Sequence, residues 1–230
     1  MTSSVMDKEA GVGLSREDPL TLFGLPLSRT HSLDNAFELT RTLLHSETSR
    51  PRLVTFANPR SIHVARTDHH YRADLNRMDL VFCDGIALAL AARRFGEFPM
   101  HRISFDSTSL APRVLEYARD QDMSIALVGG RPSVADIAAE RIRGVYPGIS
   151  IVGAVDGYKP QETLVKYVKA LDPRIVVCGM GAPRQEAFLI RLASAGWTGV
   201  GFTCGGYLDH LGDRFNFYPR LIDRFNLRWL

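Results

Sequence analysis

The residues with chemistry to offer fall in five short stretches, each closing an apolar run. They are Thr55-Phe56-Ala57-Asn58-Pro59, Cys83-Asp84-Gly85, Val128-Gly129-Gly130, the segment Gly179-Met180-Gly181-Ala182-Pro183-Arg184-Gln185-Glu186, and Cys204-Gly205-Gly206. A carboxylate such as Asp84 can take a proton from a hydroxyl group. Asn58 and Gln185 carry amides that donate and accept at once, which suits hydroxyls and phosphate oxygens. Glycine pairs let a backbone approach a ligand closely, and free N–H groups at helix starts bind anions. The chemistry suggested is an anion-binding site, for a phosphate-bearing ligand, with a carboxylate at its edge.

The grammar of these stretches excludes the commonest nucleotide sites. "GMGAP" is not GxGxxG, and GxxxxGK[ST] occurs nowhere, so neither a dinucleotide fingerprint nor a P-loop is present. The three cysteines, Cys83, Cys178 and Cys204, form no CxxC pair, which argues against a zinc site and a disulfide framework and for a reducing compartment. They read as small buried residues at strand ends. With 230 residues, 45% hydrophobic and 23% charged, the chain is long enough for one large domain with a full core. A net charge of +3 does not suggest nucleic acid but suits an anionic ligand or surface. No run of about 18 apolar residues and no signal-peptide pattern is found, so no membrane span is expected.

The elements that must position these residues alternate regularly. A polar tail over 1–18 precedes a domain over 19–230. "LFGLPL" is followed by a helix over about 32–47, opened by Ser32, and by the strand "RLVTFAN". Pro59 and Ser61 open a helix, and a second short helical piece falls near 68–77, where His69 and His70 read as solvated. The strand "DLVFC" hands over to a helix from Gly85 to about Phe95, and Ser107 or Thr108 caps a helix to about Asp120. "SIALVGG", "ISIVGAVDG", "RIVVCGMG" and "TGVGFTCGG" read as strands, separated by helices beginning at Pro132, about 161 and Pro183. Runs rich in Val and Ile look buried on both faces. The fold class expected is therefore α/β: a single Rossmann-like domain with a mostly parallel sheet and helices on both faces. Ligands of such sheets bind beyond the carboxyl ends of the strands, where the five stretches fall.

The segments "ANPRSI", "DLVFCDGIALALAARRFG", "ALVGGRPSVADIAAERIRGVYPGISIVGAVDGY", "VVCGMGAPRQE" and "GVGFTCGGYLDHLGD", in this order, resemble the WecG/TagA/CpsF glycosyltransferases, glycosyltransferase family 26. The resemblance runs from about Leu20 to Leu230. It implies transfer of a sugar, N-acetylmannosamine, glucose or similar, from a UDP-sugar to a polyprenyl-diphosphate-linked saccharide in cell-surface polysaccharide synthesis. It further implies inversion, no metal or other cofactor, and peripheral attachment to the cytoplasmic face of the cell membrane. Homo-oligomers are left open. Two rivals are a non-catalytic nucleotide-sugar-binding subunit and a dinucleotide-dependent oxidoreductase, the latter disfavoured by the absent fingerprint.

On type and position alone, Asp84 reads first as a helix N-cap. The resemblance makes it the general base, with Asn58, Arg102 and Gln185 as substrate-binding residues and Gly129, Gly130, Gly205 and Gly206 as backbone contributors to the nucleotide site. Asn58 reads equally as a turn cap before Pro59. Thr55 falls one step from the family's threonine, at Phe56, so its side chain should face the wrong way. The family's R-[VI]-x-G-x-D becomes "RISFD" here, without the glycine and with Asp106 one residue closer. Glu186 reads as a first-turn residue complementing the helix dipole, and Asp209 as a family match or an ordinary helix-start residue. "PRLIDRFNLRWL" is amphipathic, with Arg220, Arg224 and Arg228 along one edge, and reads as a docking or membrane-facing helix. Family members continue with a basic tail past the residue matching Leu230, so either this sequence is a truncated piece or arginines already present, such as Arg214 or Arg220, take that part.

Overall fold

The structure, a computed structural model, describes residues 18–46 and 50–213. Residues 1–17 of the tail expected over 1–18, Arg214, and the amphipathic segment 219–230 with Arg220, Arg224 and Arg228 lie outside the described residues.

"LFGLPL" is a hairpin: β1 (Leu20–Leu22) pairs antiparallel with β2 (Leu25–Leu27), turning at Phe23-Gly24, both with positive φ. α1 (Leu33–His45) starts where the Ser32 hydroxyl accepts the Asn35 N–H at 3.0 Å. The chain then alternates strand and helix: β3 (Arg52–Ala57), α2 (Pro59–Thr67), α3 (His69–Asn76), β4 (Leu80–Cys83), α4 (Ile86–Phe95) and α5 (Leu110–Asp120). β5 (Ile125–Gly129), α6 (Val134–Val145), β6 (Ile151–Val155), α7 (Gln161–Leu171), β7 (Ile175–Gly179), α8 (Arg184–Ser194), β8 (Val200–Thr203) and α9 (Tyr207–Asp213) complete it. His69 and His70 are exposed on α3, as read from the sequence.

β3 to β8 form one six-stranded sheet in the order β4-β3-β8-β7-β5-β6, every neighbouring pair parallel. Helices cover both faces, which is why β3, β4, β5, β7 and β8 are apolar almost throughout. One core gathers alternate strand residues, among them Val54, Phe56, Phe82, Leu127, Val177 and Phe202, under α1, α5, α6 and α9. The opposite face packs Leu53, Val128 and Val176 against α7 and α8, and Ala57, Val81 and Cys83 against α2, α3, α4 and the hairpin. α5 shows the logic in miniature: Leu110, Ala111, Val114, Leu115 and Ala118 make one buried stripe, each large aliphatic contributing about 1.5–3 kcal/mol by leaving water.

Both ends of the β3–β4 pair are fixed by polar contacts. At the start, the buried Asp79 carboxylate accepts Arg50 at 2.8 Å, Arg52 at 3.1 Å and the Leu53 N–H at 2.9 Å. At the finish, the Asp84 N–H donates to the Ala57 carbonyl at 2.7 Å, carrying the parallel ladder one residue past β4. Neighbouring strands send their following helices to opposite faces: α2 and α8 to one, α9 and α6 to the other. That alternation along β3, β8, β7 and β5 opens crevices at the carboxyl edge.

Two expectations about helix starts change, and one of the two readings of Asn58 is borne out. α4 has Gly85, not Asp84, at its N-cap position, with φ 108°. Asn58 is a cap in full: its Oδ1 accepts the Ser61 N–H at 3.2 Å while its own N–H donates to the Ser61 hydroxyl at 3.1 Å. Neither Ser107 nor Thr108 caps α5, whose N-cap position is Ser109, because the Thr108 hydroxyl donates to Asp106 at 2.8 Å instead.

Gly129 shows how tightly the sheet edge is built. Its φ is +144°, and a Cβ there would lie 2.1 Å from the Gly179 carbonyl oxygen. Gly129→Ala must part β5 from β7 or strain the backbone. We expect it to lose at least about 2 kcal/mol of stability in chemical denaturation, and an unchanged midpoint would refute this packing role.

Candidate active site at the carboxyl edge of the sheet

Two cavities open beyond the strand ends. The larger, about 920 Å³, is lined by the ends of β3, β4 and β8, the loop from Arg102 to Thr108, and the start of α8. The smaller, about 260 Å³, lies beyond β5, β6 and β7. Met180, Gly181, Gly205 and Gly206 line both, so the two share a wall.

The larger cavity gathers Asp84, Asn58, Arg102 and Gln185, four residues far apart in sequence. The Asp84 carboxylate is partly exposed and meets the Arg102 Nε at 3.3 Å. The same guanidinium donates through Nη2 to Asp106 at 3.1 Å. Asp106 also accepts the Ser104 hydroxyl at 2.6 Å and both the N–H and the hydroxyl of Thr108 at 2.8 Å. Burial works against its charge, but those donors and Arg102 outweigh it, leaving Asp106 below the usual carboxylate range. Beneath, Phe56, Phe105, Phe202 and Tyr207 form an aromatic layer with ring centroids 5.3–6.0 Å apart. Phe105 anchors the Arg102–Thr108 loop to the sheet in this way.

Gln185 is held by two partners. Its Oε1 accepts the Gly205 N–H at 3.2 Å and its Nε2 donates to Glu186 at 3.1 Å. Glu186, read as an ordinary first-turn residue, is wholly buried. One of its oxygens accepts the Thr55 hydroxyl at 2.8 Å, and Thr55 in turn is 2.8 Å from the Thr203 hydroxyl. Thr55 therefore faces away from the cavity that Phe56 lines, as strand alternation requires. The Glu186 Oε2 has no hydrogen-bond partner among the described residues. Burial raises the Glu186 carboxyl despite the bonds from Gln185 and Thr55.

In the smaller cavity, Gly130, Gly205 and Gly206 are joined by Arg131, Tyr158, Arg184 and Asp209. The Arg184 Nη2 donates to the Gly157 carbonyl at 2.9 Å, and its guanidinium lies 6.0 Å from the centre of the exposed Tyr158 ring. Arg131, Tyr158 and Arg184 were not singled out from the sequence, although each follows a strand end. Gly129 lines neither cavity and packs on Gly179. The three cysteines are buried; burial, then the neighbouring Asp84, pushes the Cys83 thiol up to about 12, so it offers no nucleophile. Among the described residues no three His, Cys, Asp or Glu side chains cluster as metal ligands. No helix among them is long and apolar enough to cross a membrane.

Glu186 allows a stability measurement. Its folded pKa exceeds its unfolded one, so the stability tied to its neutral form is complete below the ordinary glutamate value and drains as pH rises towards the folded value. Glu186→Gln cannot ionise. The melting temperature of this variant minus that of wild type should therefore climb from pH 4 to pH 8; a difference that stays flat would show that Glu186 is not held neutral.

The glycosyl transferase WecG/TagA/CpsF family model matches residues 20–230. A UDP-Gal:alpha-D-GlcNAc-diphosphoundecaprenol beta-1,4-galactosyltransferase of Shigella boydii is 30% identical, over 77% of this chain and 75% of its own. N-acetylglucosaminyldiphosphoundecaprenol N-acetyl-beta-D-mannosaminyltransferases of Bacillus spizizenii and Staphylococcus aureus are 26% and 24% identical, over 89% and 83% of this chain and 80% and 74% of theirs. Among solved structures, an extracellular ligand-binding receptor from Rhodopseudomonas palustris HaA2 aligns at a TM-score of 0.35 and 14% identity, over 72% of this chain and 65% of that one, too loosely to bear on function. With a model match over nearly its whole length, the chain belongs to the WecG/TagA/CpsF family of glycosyltransferases.

Proposed function

We propose that the protein transfers a sugar from a UDP-sugar to a polyprenyl-diphosphate-linked saccharide, at the inner face of the cell membrane, with Asp84 as general base. The observation that carries this reading is the Asp84 carboxylate on the wall of a cavity of about 920 Å³, facing Arg102 and bordered by Asn58 and Gln185. Ligand clefts commonly measure about 300–1,000 Å³, so this one accommodates a sugar acceptor together with the donor's reacting end. The smaller cavity, at about 260 Å³, is too small for a whole nucleotide sugar. The donor then spans both, its nucleotide beside Gly130, Gly205 and Gly206 and its sugar past the shared wall.

The reaction follows from this placement. Asp84 accepts the proton of the acceptor hydroxyl as that oxygen forms its bond to the anomeric carbon. The bond from that carbon to the UDP oxygen breaks on the opposite face, which inverts the centre, and UDP departs with the electron pair. Charge grows on the leaving diphosphate as this happens. Arg131 and Arg184 beside the smaller cavity, with N–H groups of its glycine turns, are the groups to offset it. We assign that task to them rather than to a metal ion. Asn58 keeps its Nδ2 for substrate hydroxyls, since its Oδ1 caps α2. Gln185 acts chiefly by holding Gly205 in place. The undecaprenyl-diphosphate acceptors in the relatives' names support a lipid-linked acceptor here.

Asp84→Asn preserves shape but removes the base, and we expect transfer from a panel of UDP-sugars to a lipid-linked acceptor in detergent to fall by about 10²–10⁴-fold, with UDP binding retained. Turnover equal to wild type would sink the general-base assignment. UDP binding by wild type without transfer to any acceptor would favour a non-catalytic binding subunit.

A further inference from the structure

Arg102 is shared between two carboxylates of unequal standing. Asp84 meets its Nε at 3.3 Å. Asp106 takes its Nη2 at 3.1 Å and is itself fixed by Ser104 at 2.6 Å and by two bonds from Thr108 at 2.8 Å. Four donors among the described residues thus hold Asp106, and the aromatic packing of Phe105 pins the loop that carries it. Its charge is well secured, since it stays below the usual carboxylate range despite burial. Arg102 itself lines the cavity.

A guanidinium beside a single carboxylate tends to close onto it as a two-pronged pair, stronger than a one-point contact. Such a pair on Asp84 would occupy both oxygens of the group that must accept a proton. Asp106 opposes this closure by claiming the Nη2 edge. We propose that Asp106 is a positioning residue of the transfer reaction, holding the Nη2 edge of Arg102 so that the guanidinium meets Asp84 through its Nε and does not close onto it as a two-pronged pair. Asp106 touches no substrate in this scheme and acts only through Arg102. The proposal rests on the glycosyltransferase reading above.

The test combines kinetics with a signal independent of turnover. In Asp106→Asn we expect kcat to fall about tenfold or more, the order that follows a small misplacement of a reacting group, with the donor KM changed less than about threefold. Adding D106N to Arg102→Gln should cause no further loss, since the arginine it positions is gone. The side-chain Nε–H resonance of Arg102, assigned with Arg102→Lys in arginine-labelled protein, should move in D106N. If D106N does not fold, Ser104→Ala removes the 2.6 Å donor and should show the same pattern more weakly. A kcat within twofold of wild type, losses that multiply in the double variant, or an unmoved Nε–H resonance would each overturn the positioning role. Wild type that binds UDP but transfers no sugar would overturn the glycosyltransferase reading instead, and the resonance alone would then decide for or against Asp106.

Discussion

The bond from the Asp84 N–H to the Ala57 carbonyl, 2.7 Å long, is the constraint on which the site depends. It extends the β3–β4 ladder one residue beyond the strand and fixes where the carboxylate leaves the sheet. The same device recurs along the edge: Cys204 donates to Cys178 at 2.8 Å and Gly130 to Gly179 at 3.0 Å. Parallel strands hydrogen-bonded to their last residue end in a common line. Residues 58, 84, 130, 181 and 205 are distant in the chain, yet backbone geometry alone brings them to one edge. The side chains need only choose a direction, and the alternation of helices between faces provides the space.

Behind that edge lies a polar layer in the core. Thr203, Thr55, Glu186 and Gln185 form a buried chain of hydrogen bonds that ends on the Gly205 N–H. It ties two adjacent strands to the helix behind them and to the turn in front. A buried carboxyl is an expensive component, and apolar residues would fill the same space with less penalty. What an apolar filling would lack is a directed bond to the Gln185 amide. Without that bond the amide could rotate and release the turn, so the chain serves the shape of the cavities more than the stability of the fold.

Much of this was legible in the sequence. Val- and Ile-rich runs separated by helical periods specify a parallel sheet covered on both faces, and the edge where ligands bind follows from that. The direction of Thr55 followed from alternation alone. What remained illegible depended on contacts across long separations. Asp84 looked like a helix cap because carboxylates often are, but the cap position fell to Gly85, and Arg102, eighteen residues on, became the partner. A glutamate in a first helical turn normally faces water, and nothing local announces that Thr55 lies behind Glu186. Asp106 differs from the family spacing by one residue, yet Ser104 and Thr108 on either side of it still secure its carboxylate. Arg131, Tyr158 and Arg184 were missed because single residues after strand ends carry no pattern.

The wall between the two cavities is shared, formed at Gly181, Gly205 and Gly206 by backbone alone and at Met180 by a side chain. A substitution at any of these four residues changes a surface that both cavities use. On the proposed reading, preference for the incoming sugar and preference for its recipient are therefore not separable variables in this molecule. A lineage changing one must adjust the other, or place its variation on the outer rims, where Arg131 and Tyr158 border one cavity and the Arg102–Thr108 loop borders the other.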